Sequence, residues 1–356
     1  MIKNKIFKYF FLEFLKLFIL ISLSLSLIIW ISQATRLLEL VTEYGNPVSV
    51  YLKYTIFSYP KVLNNLIILT FPITMFFLFN KLESSNELGI YWLSGVGKER
   101  IINLTLFISF LVFIFHSFMS VYFAPNTSFK GRQVLANSEF SIINALVKEN
   151  NFNSPLKGLT IFVNKNDKRG SLEGVSIFEK DRTILAKKGL VVSKGDESYL
   201  VLINGVTHEK SGDKINIINF KETIFDFSKY KTRNIDYPKF NERNIKWLIK
   251  NINNKNFSKL SEIREELNER LFKPLFILVM GILSCFLLYN NNEKINLKKL
   301  RILIYCFSII LIIFNQILIA SSGKELIYSG FYIIIIFSIF LALYLILNKI
   351  LKQESI

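Results

Sequence analysis

Apolar residues gather into six long runs, three early in the chain and three late, with a long polar stretch between them. The runs cover residues 14–31, 56–79, 101–123, 271–288, 302–320 and 327–347. Each is close to the roughly 20 residues an α-helix needs to cross a bilayer. Pro60 and Pro72 fall in the second run. A kink is tolerated there when neighbouring helices satisfy the freed carbonyl. Lys3, Lys5 and Lys8 precede the first run, as in a signal peptide. The apolar part is too long for one, and no small-x-small cleavage site follows. An uncleaved first span is therefore expected.

The polar stretch, residues 126–268, changes period. Residues 159–163, 175–178, 183–186 and 199–203 are short and rich in β-branched side chains. Turn sequences such as Asp167-Lys-Arg-Gly170 and Lys194-Gly-Asp196 bound them. Asn204-Gly205, with strand-like residues on both sides, predicts a two-residue hairpin turn. Residues 215–227 add strand material. From 241 to 268 the pattern turns helical and charged, with Trp247, Leu248, Leu260, Ile263 and Leu267 as its apolar positions. The predicted fold is an α-helical membrane protein with six transmembrane helices. An extracytoplasmic all-β, jelly-roll-like domain is inserted between helices 3 and 4. The parts are residues 1–125 with a short cytoplasmic helix near 84–95, residues 126–268 with the β domain and a helical return, and residues 269–356.

Charge orients this scaffold. Lys3, Lys5, Lys8, Lys81, Lys98, Arg100, Lys294, Lys298, Lys299, Arg301, Lys349 and Lys352 fall on one face of the predicted topology. Arg36, Lys53 and Lys324 serve the short loops of the other. The positive-inside rule then puts both termini in the cytoplasm and the insert outside, since long domains cross regardless of charge. A net charge of +17 would suggest nucleic acid in a soluble chain. With 51% hydrophobic residues and a mean hydropathy of +0.37, the lysines are better read as flanks of membrane spans facing anionic headgroups. No basic helix or stacking-aromatic module supports nucleic-acid binding.

Candidate chemistry is sparse. Cys285 and Cys306 both lie in apolar runs, so the insert carries no disulfide. His116 and His208 give no metal-ligand spacing. Gly95-Val-Gly-Lys98 lacks the first glycine and the final Ser or Thr of a phosphate loop. No nucleophile–base arrangement is evident, and no Asp, Glu, Lys or Arg is read well inside an apolar run, which disfavours ion-coupled transport. The informative stretch is residues 81–100. Ser84-Ser-Asn-Glu87 fits a capping box in which Ser84 caps a helix and Glu87 reaches back. Leu88, Tyr91 and Trp92 then share one face, and Gly95 is placed to end the helix. Such a helix, exposing Leu, Tyr and Trp, suits a groove on a partner protein. It equally suits a headgroup-level interfacial helix.

Several stretches resemble the permease subunits of the lipopolysaccharide export transporter, the LptF/LptG family. They are Tyr9-Phe-Phe-Leu-Glu-Phe-Leu-Lys16, Arg36-Leu-Leu-Glu-Leu-Val-Thr-Glu-Tyr-Gly45 and Asn80-Lys-Leu-Glu-Ser-Ser-Asn-Glu-Leu88 through Ser94-Gly95. Ala124-Pro125 and Glu269-Arg-Leu-Phe-Lys-Pro274 also match. Arg36–Gly45 looks more like the F-type than the G-type subunit. At Gly330-Phe-Tyr332, leading into the sixth span, many relatives carry a proline that this chain lacks.

The resemblance implies a heterodimer with a paralogous LptG-like permease, enclosing a cavity for lipopolysaccharide. It implies a cytoplasmic LptB-like ATPase dimer as motor and an LptC-like periplasmic bridge protein as receiver. No cofactor is expected in this chain, because ATP is bound by the partner. By the same likeness Glu87 contacts the ATPase groove, with Ser84, Leu88, Tyr91, Trp92 and Gly95 forming the rest of the coupling element. Arg36 would contact the phosphorylated headgroup, a task suited to a guanidinium fork. Location in the bacterial inner membrane follows. A lipoprotein-release or mechanotransmission subunit is the first alternative, although such proteins place their outer domain after the first of four spans. A lipid-modifying membrane enzyme is the second, and a structural anchor the third.

Overall fold

The computed structural model describes residues 2–38, 41, 48–138, 149–156, 158–167, 171–194, 197–211, 214–226, 238–254, 259–288 and 297–354. Six helical stretches are long and apolar enough to cross a membrane: Lys5–Leu37, Val48–Ser84, Lys98–Leu135, Leu260–Leu288, Lys299–Ser322 and Leu326–Leu351. They contain the six predicted runs, and the first three extend well past them. The described chain forms two compact units. One comprises Met1–Trp30, Tyr59–Phe129 and Pro238–Ile356, the other Ile31–Ser58 and Lys130–Tyr237.

The helices α1 (Ile2–Leu37) and α2 (Val48–Ser84), whose residues 31–37 and 48–58 belong to the second unit, are followed by the short α3 (Glu87–Leu93) and by α4 (Lys98–Phe118). A π-helical turn, Met119–Phe123, joins α4 to α5 (Ala124–Ser138). After the β insert come α6 (Ile245–Asn251), α7 (Leu260–Leu271), α8 (Phe276–Cys285), α9 (Leu297–Ser322) and α10 (Leu326–Glu354). The fourth span is broken between α7 and α8 by a 3₁₀ turn at Lys273–Leu275. Pro274 lies in that turn, where its missing N–H forfeits no regular helix bond.

One apolar core joins Phe71, Met75 and Leu78 of α2 to Ile101 and Ile108 of α4 and to Met280 and Ile282 of α8. The α4–α8 crossing is close. A Cβ added at Gly281 would stand 2.8 Å from Cβ of Ser109. Small residues allow such approach where no water drives association. Polar side chains add cross-links. Asn268 donates to Ser322 Oγ at 2.8 Å and to Ser329 Oγ at 2.9 Å. Tyr332 donates to Asn315 Oδ1 at 2.9 Å, and His116 Nε2 lies 3.1 Å from the Asn64 carbonyl. Arg270 is 1% exposed and is held by Glu266 and by the carbonyls of Arg243 and Phe240. Lys16, Lys61 and Lys273 fall within the first, second and fourth runs, each near a run's end and none well inside. Lys273 is paired with Glu269 one turn away.

In the second unit, β1 (Phe152–Leu156), β2 (Leu159–Asn166), β3 (Ser171–Glu179), β4 (Arg182–Lys194), β5 (Glu197–Ser211) and β6 (Lys214–Asp226) form one antiparallel sheet in chain order. The inserted all-β domain is as predicted, but its described strands make an up-and-down sheet without the Greek-key order of a jelly roll. The cause is local. Glu179 to Arg182, Lys194 to Glu197 and Ser211 to Lys214 are such short links that each strand pairs with the one just laid down.

The sequence Asn204-Gly205 is not a hairpin turn. It lies inside β5, with Asn204 at φ 53°. Asparagine's tolerance of the left-handed region is used here to reverse the faces of a continuous strand. Leu200 and Leu202 point into the core before it, and Thr207 is buried after it. Gly174, at φ 63°, does the same in β3, between buried Leu172 and Val175. Gly205 is required by close approach, since a Cβ would meet the Leu185 carbonyl oxygen and the Phe220 ring. The turns predicted at 167–170 and 194–196 fall largely outside the described residues.

Candidate functional site

The stretch singled out by the sequence is the turn and helix after α2. The helix α2 runs through Ser84, whose hydroxyl bonds back to the Lys81 carbonyl at 2.9 Å. Ser84 is therefore the last residue of a long helix and not the cap of the next, so the predicted capping box does not form. Asn86, at φ 57°, makes the break. Glu87 is the first residue of α3, where a carboxylate suits the positive helix end. Ser85 Oγ donates to Glu87 Oε1 at 2.9 Å, and the Tyr9 hydroxyl lies 3.4 Å from the same oxygen.

Gly95 ends α3 as predicted. Its φ of 73° places it in the left-handed region. Its N–H bonds the Trp92 carbonyl at 3.0 Å, and the Val96 N–H bonds the Tyr91 carbonyl at 3.0 Å. This paired closure satisfies two carbonyls that the helix leaves free. Val96 is buried in the bundle core and fixes the exit.

Facing is the main departure from expectation. Leu88 and Tyr91 are buried in the bundle core, and Trp92 packs against it. They do not form the exposed face. Burial, with the Glu87 carboxylate second, pushes the Tyr91 phenol well above its ordinary pKa, so it acts as a neutral packing group. The residues left outside are Ile90 and Leu93, 57% and 91% exposed. They lie three apart, on the side of the helix opposite Leu88. The sequence carried their signal only as apolar residues out of phase with the Leu88 set.

The root of α3 is tied down on two sides. Lys81 Nζ lies 2.5 Å from Glu13 Oε2, and Lys16 lies 3.1 Å from Glu13 Oε1. Arg301 pairs with Glu83 and donates to Asn80 Oδ1 at 2.9 Å. Arg36 belongs to the second unit, exposed in the last turn of α1. Most of the motif that follows it, residues 39–40 and 42–47, lies outside the described residues. Among the described residues no group of His, Cys, Asp or Glu is arranged to hold a metal ion.

The family described as lipopolysaccharide export system permease LptF/LptG matches residues 8–349, nearly the whole chain. The chain belongs to the LptF/LptG family. An uncharacterized protein of Rickettsia prowazekii is 23% identical over 303 residues, covering 81% of this chain and 83% of that relative. This LptF/LptG permease is a multi-pass membrane protein with a role in transport. Its short α3, with Leu88 and Tyr91 packed into the core, turns Ile90 and Leu93 outward.

Proposed function

We propose that this permease extracts lipopolysaccharide from the inner membrane and hands it to a periplasmic bridge, driven by a cytoplasmic ATPase that seats on α3. The observation that carries this reading is the build of α3, which is short, capped by Gly95 and packed from behind by Leu88, Tyr91 and Trp92. It offers Ile90 and Leu93 beside the Glu87 carboxylate. Two apolar anchors next to one charge suit a groove on a partner better than a lipid surface, where an acidic residue is disfavoured near anionic headgroups. The distribution of lysine and arginine supports a cytoplasmic α3 and termini, with the β domain in the periplasm.

The partners in this reading are a paralogous LptG-like permease, an LptB-like ATPase dimer and an LptC-like bridge protein. This chain takes the F-type place, supported by its Arg36–Gly45 stretch. Arg36 contacts the phosphorylated headgroup, a role open to an exposed guanidinium at the outer end of the first span. ATP-driven closure, transmitted through α3, forces the lipid from the cavity towards the β domain. Purification of the tagged chain in mild detergent, followed by protein and lipid mass spectrometry, tests the reading. Recovery of a related six-span chain, an ATPase and a lipid A-containing glycolipid is expected. Consistent recovery of the chain alone across several detergents favours the enzyme or anchor alternatives.

The receiving edge of the sheet is β6. It ends the strand order and runs for 13 residues, with Ile215 and Ile217 exposed on one face. The opposite edge, β1, has five residues and contains Pro155, which cannot donate to a ladder. A bridge strand added along β6 would continue the sheet. Ile215→Lys with Ile217→Lys would charge this edge against pairing and should cut recovery of the bridge protein by about tenfold with the ATPase retained. Quantitative mass spectrometry of the purified complex reads the effect.

A further inference from the structure

The last turn of α2 carries two separate sets of ionic contacts, one to each side. Lys81 faces α1, where its ammonium meets Glu13 at 2.5 Å, and Glu13 also accepts from Lys16 at 3.1 Å. Asn80 and Glu83, one helical turn apart, face α9 and share Arg301. Four residues beyond Glu83 is Glu87, where α3 begins. A displacement of α3 enters α2 past the break at Asn86 and meets Glu83 and Lys81 within the last two turns.

Within this chain the first and fifth spans bury less of their most apolar stretch than the second and fourth. Phe10 and Phe14 of α1 and Ile304 of α9 join the apolar core close to these contacts. The ion pairs thus act where each helix meets the rest of the chain. Each pair has one sheltered and one more open partner: Glu13 is 10% and Lys81 48% exposed, Arg301 17% and Glu83 34%. The sheltered member fixes the geometry of a charge-assisted contact, while its partner stays in reach of solvent.

We infer that Glu13–Lys81 and Arg301–Glu83 are the two transmission points through which movement of α3 drives the first and fifth spans. The inference rests on the reading of α3 as the ATPase contact. Glu13, Lys81, Glu83 and Arg301 are positioning residues that touch neither nucleotide nor cargo. A push on α3 turns or lifts the end of α2, and the two pairs carry α1 and α9 with it. The opposite charge order on the two sides, lysine on α2 towards α1 and glutamate on α2 towards α9, also prevents the two outer helices from exchanging contacts.

The test uses the whole complex co-purified with this chain and reconstituted in proteoliposomes loaded with a lipid A-containing glycolipid. ATP hydrolysis, glycolipid released per ATP, ATPase retention and thermal stability are measured together. Glu13→Gln should keep the ATPase bound and hydrolysing while releasing about tenfold less glycolipid per ATP, the size of an ordinary coupling energy. The exchange Glu13→Lys with Lys81→Glu should recover most of that ratio, which a merely structural residue would not. Arg301→Met should lower the ratio independently.

A wild-type ratio in both Glu13→Gln and Arg301→Met overturns the inference. So does loss of ATPase binding and thermal stability in step with release in both variants, the pattern of a structural pair. Wild-type complex that hydrolyses ATP and releases no glycolipid overturns the export reading itself, before any variant is compared.

Discussion

A chain carrying Ile90→Asp and Leu93→Asp should insert and fold as wild type and lose its ATPase. Both side chains are exposed, so the substitutions disturb no packing within the permease. In the assembled complex each would place a carboxylate in an apolar groove. Loss of two central anchors at about 2 kcal/mol or more each would weaken association by at least about a hundredfold. Retention of the ATPase on the purified permease and thermal stability in detergent check both halves of the expectation. Leu88→Ala should show the opposite pattern. It removes a buried side chain behind α3 and lowers stability by about 2–3 kcal/mol, with partner binding lost only as far as the helix shifts. Equal ATPase retention in wild type and the Ile90/Leu93 double variant would mean that the exposed side of α3 faces something else.

The second large effect is structural. Gly281→Leu should prevent the bundle from forming its core. Gly281 lies on α8 where that helix crosses α4, and even a single added carbon would meet Ser109 at both its Cβ and its Oγ. Rotating the serine hydroxyl relieves only the second contact. A leucine there forces the helices apart along a seam that includes Ile108 and Met280. Overpacking of this kind costs about 3 kcal/mol or more. Helices in lipid have no hydrophobic drive to restore the contact. Folded yield and melting temperature by fluorescence-detected size exclusion read the loss. Gly89→Ala is the control. That glycine faces open space on α3, and its replacement should leave both measures unchanged.

Much of this architecture is legible in the sequence because hydropathy is a long-window signal. Six runs near 20 residues survive any small error of phase, and so does a polar insert rich in β-branched residues. What failed depended on one residue of phase or on distant partners. Ser84-Ser-Asn-Glu87 matches a capping box by spacing, yet α2 continues through Ser84, and Asn86 breaks the chain two residues later. That shift leaves Gly95 correct as the end of α3, since a left-handed glycine has a local signature. The facing of α3 is not local. Leu88, Tyr91 and Trp92 on one side and Ile90 and Leu93 on the other are all apolar, so only the position of the bundle core decides which set is buried. Asn204-Gly205 has the residues of a tight turn, but the pairing of β5 with β4 and β6 runs straight through it. Glu13 with Lys81 and Glu83 with Arg301 are joined across long stretches of chain, and nothing near either residue announces the pairing.

The central claim is that this permease converts ATP hydrolysis at α3 into delivery of a glycolipid. Its most direct test is a timed transfer experiment. Proteoliposomes holding the whole co-purified complex and a lipid A-containing glycolipid are supplied with ATP, and glycolipid is measured on a soluble β-sheet acceptor. The account predicts transfer that needs ATP, rises with ATP hydrolysed and disappears with the Ile90/Leu93 double variant. Transfer that proceeds equally without ATP, or that persists undiminished in that variant, would contradict it.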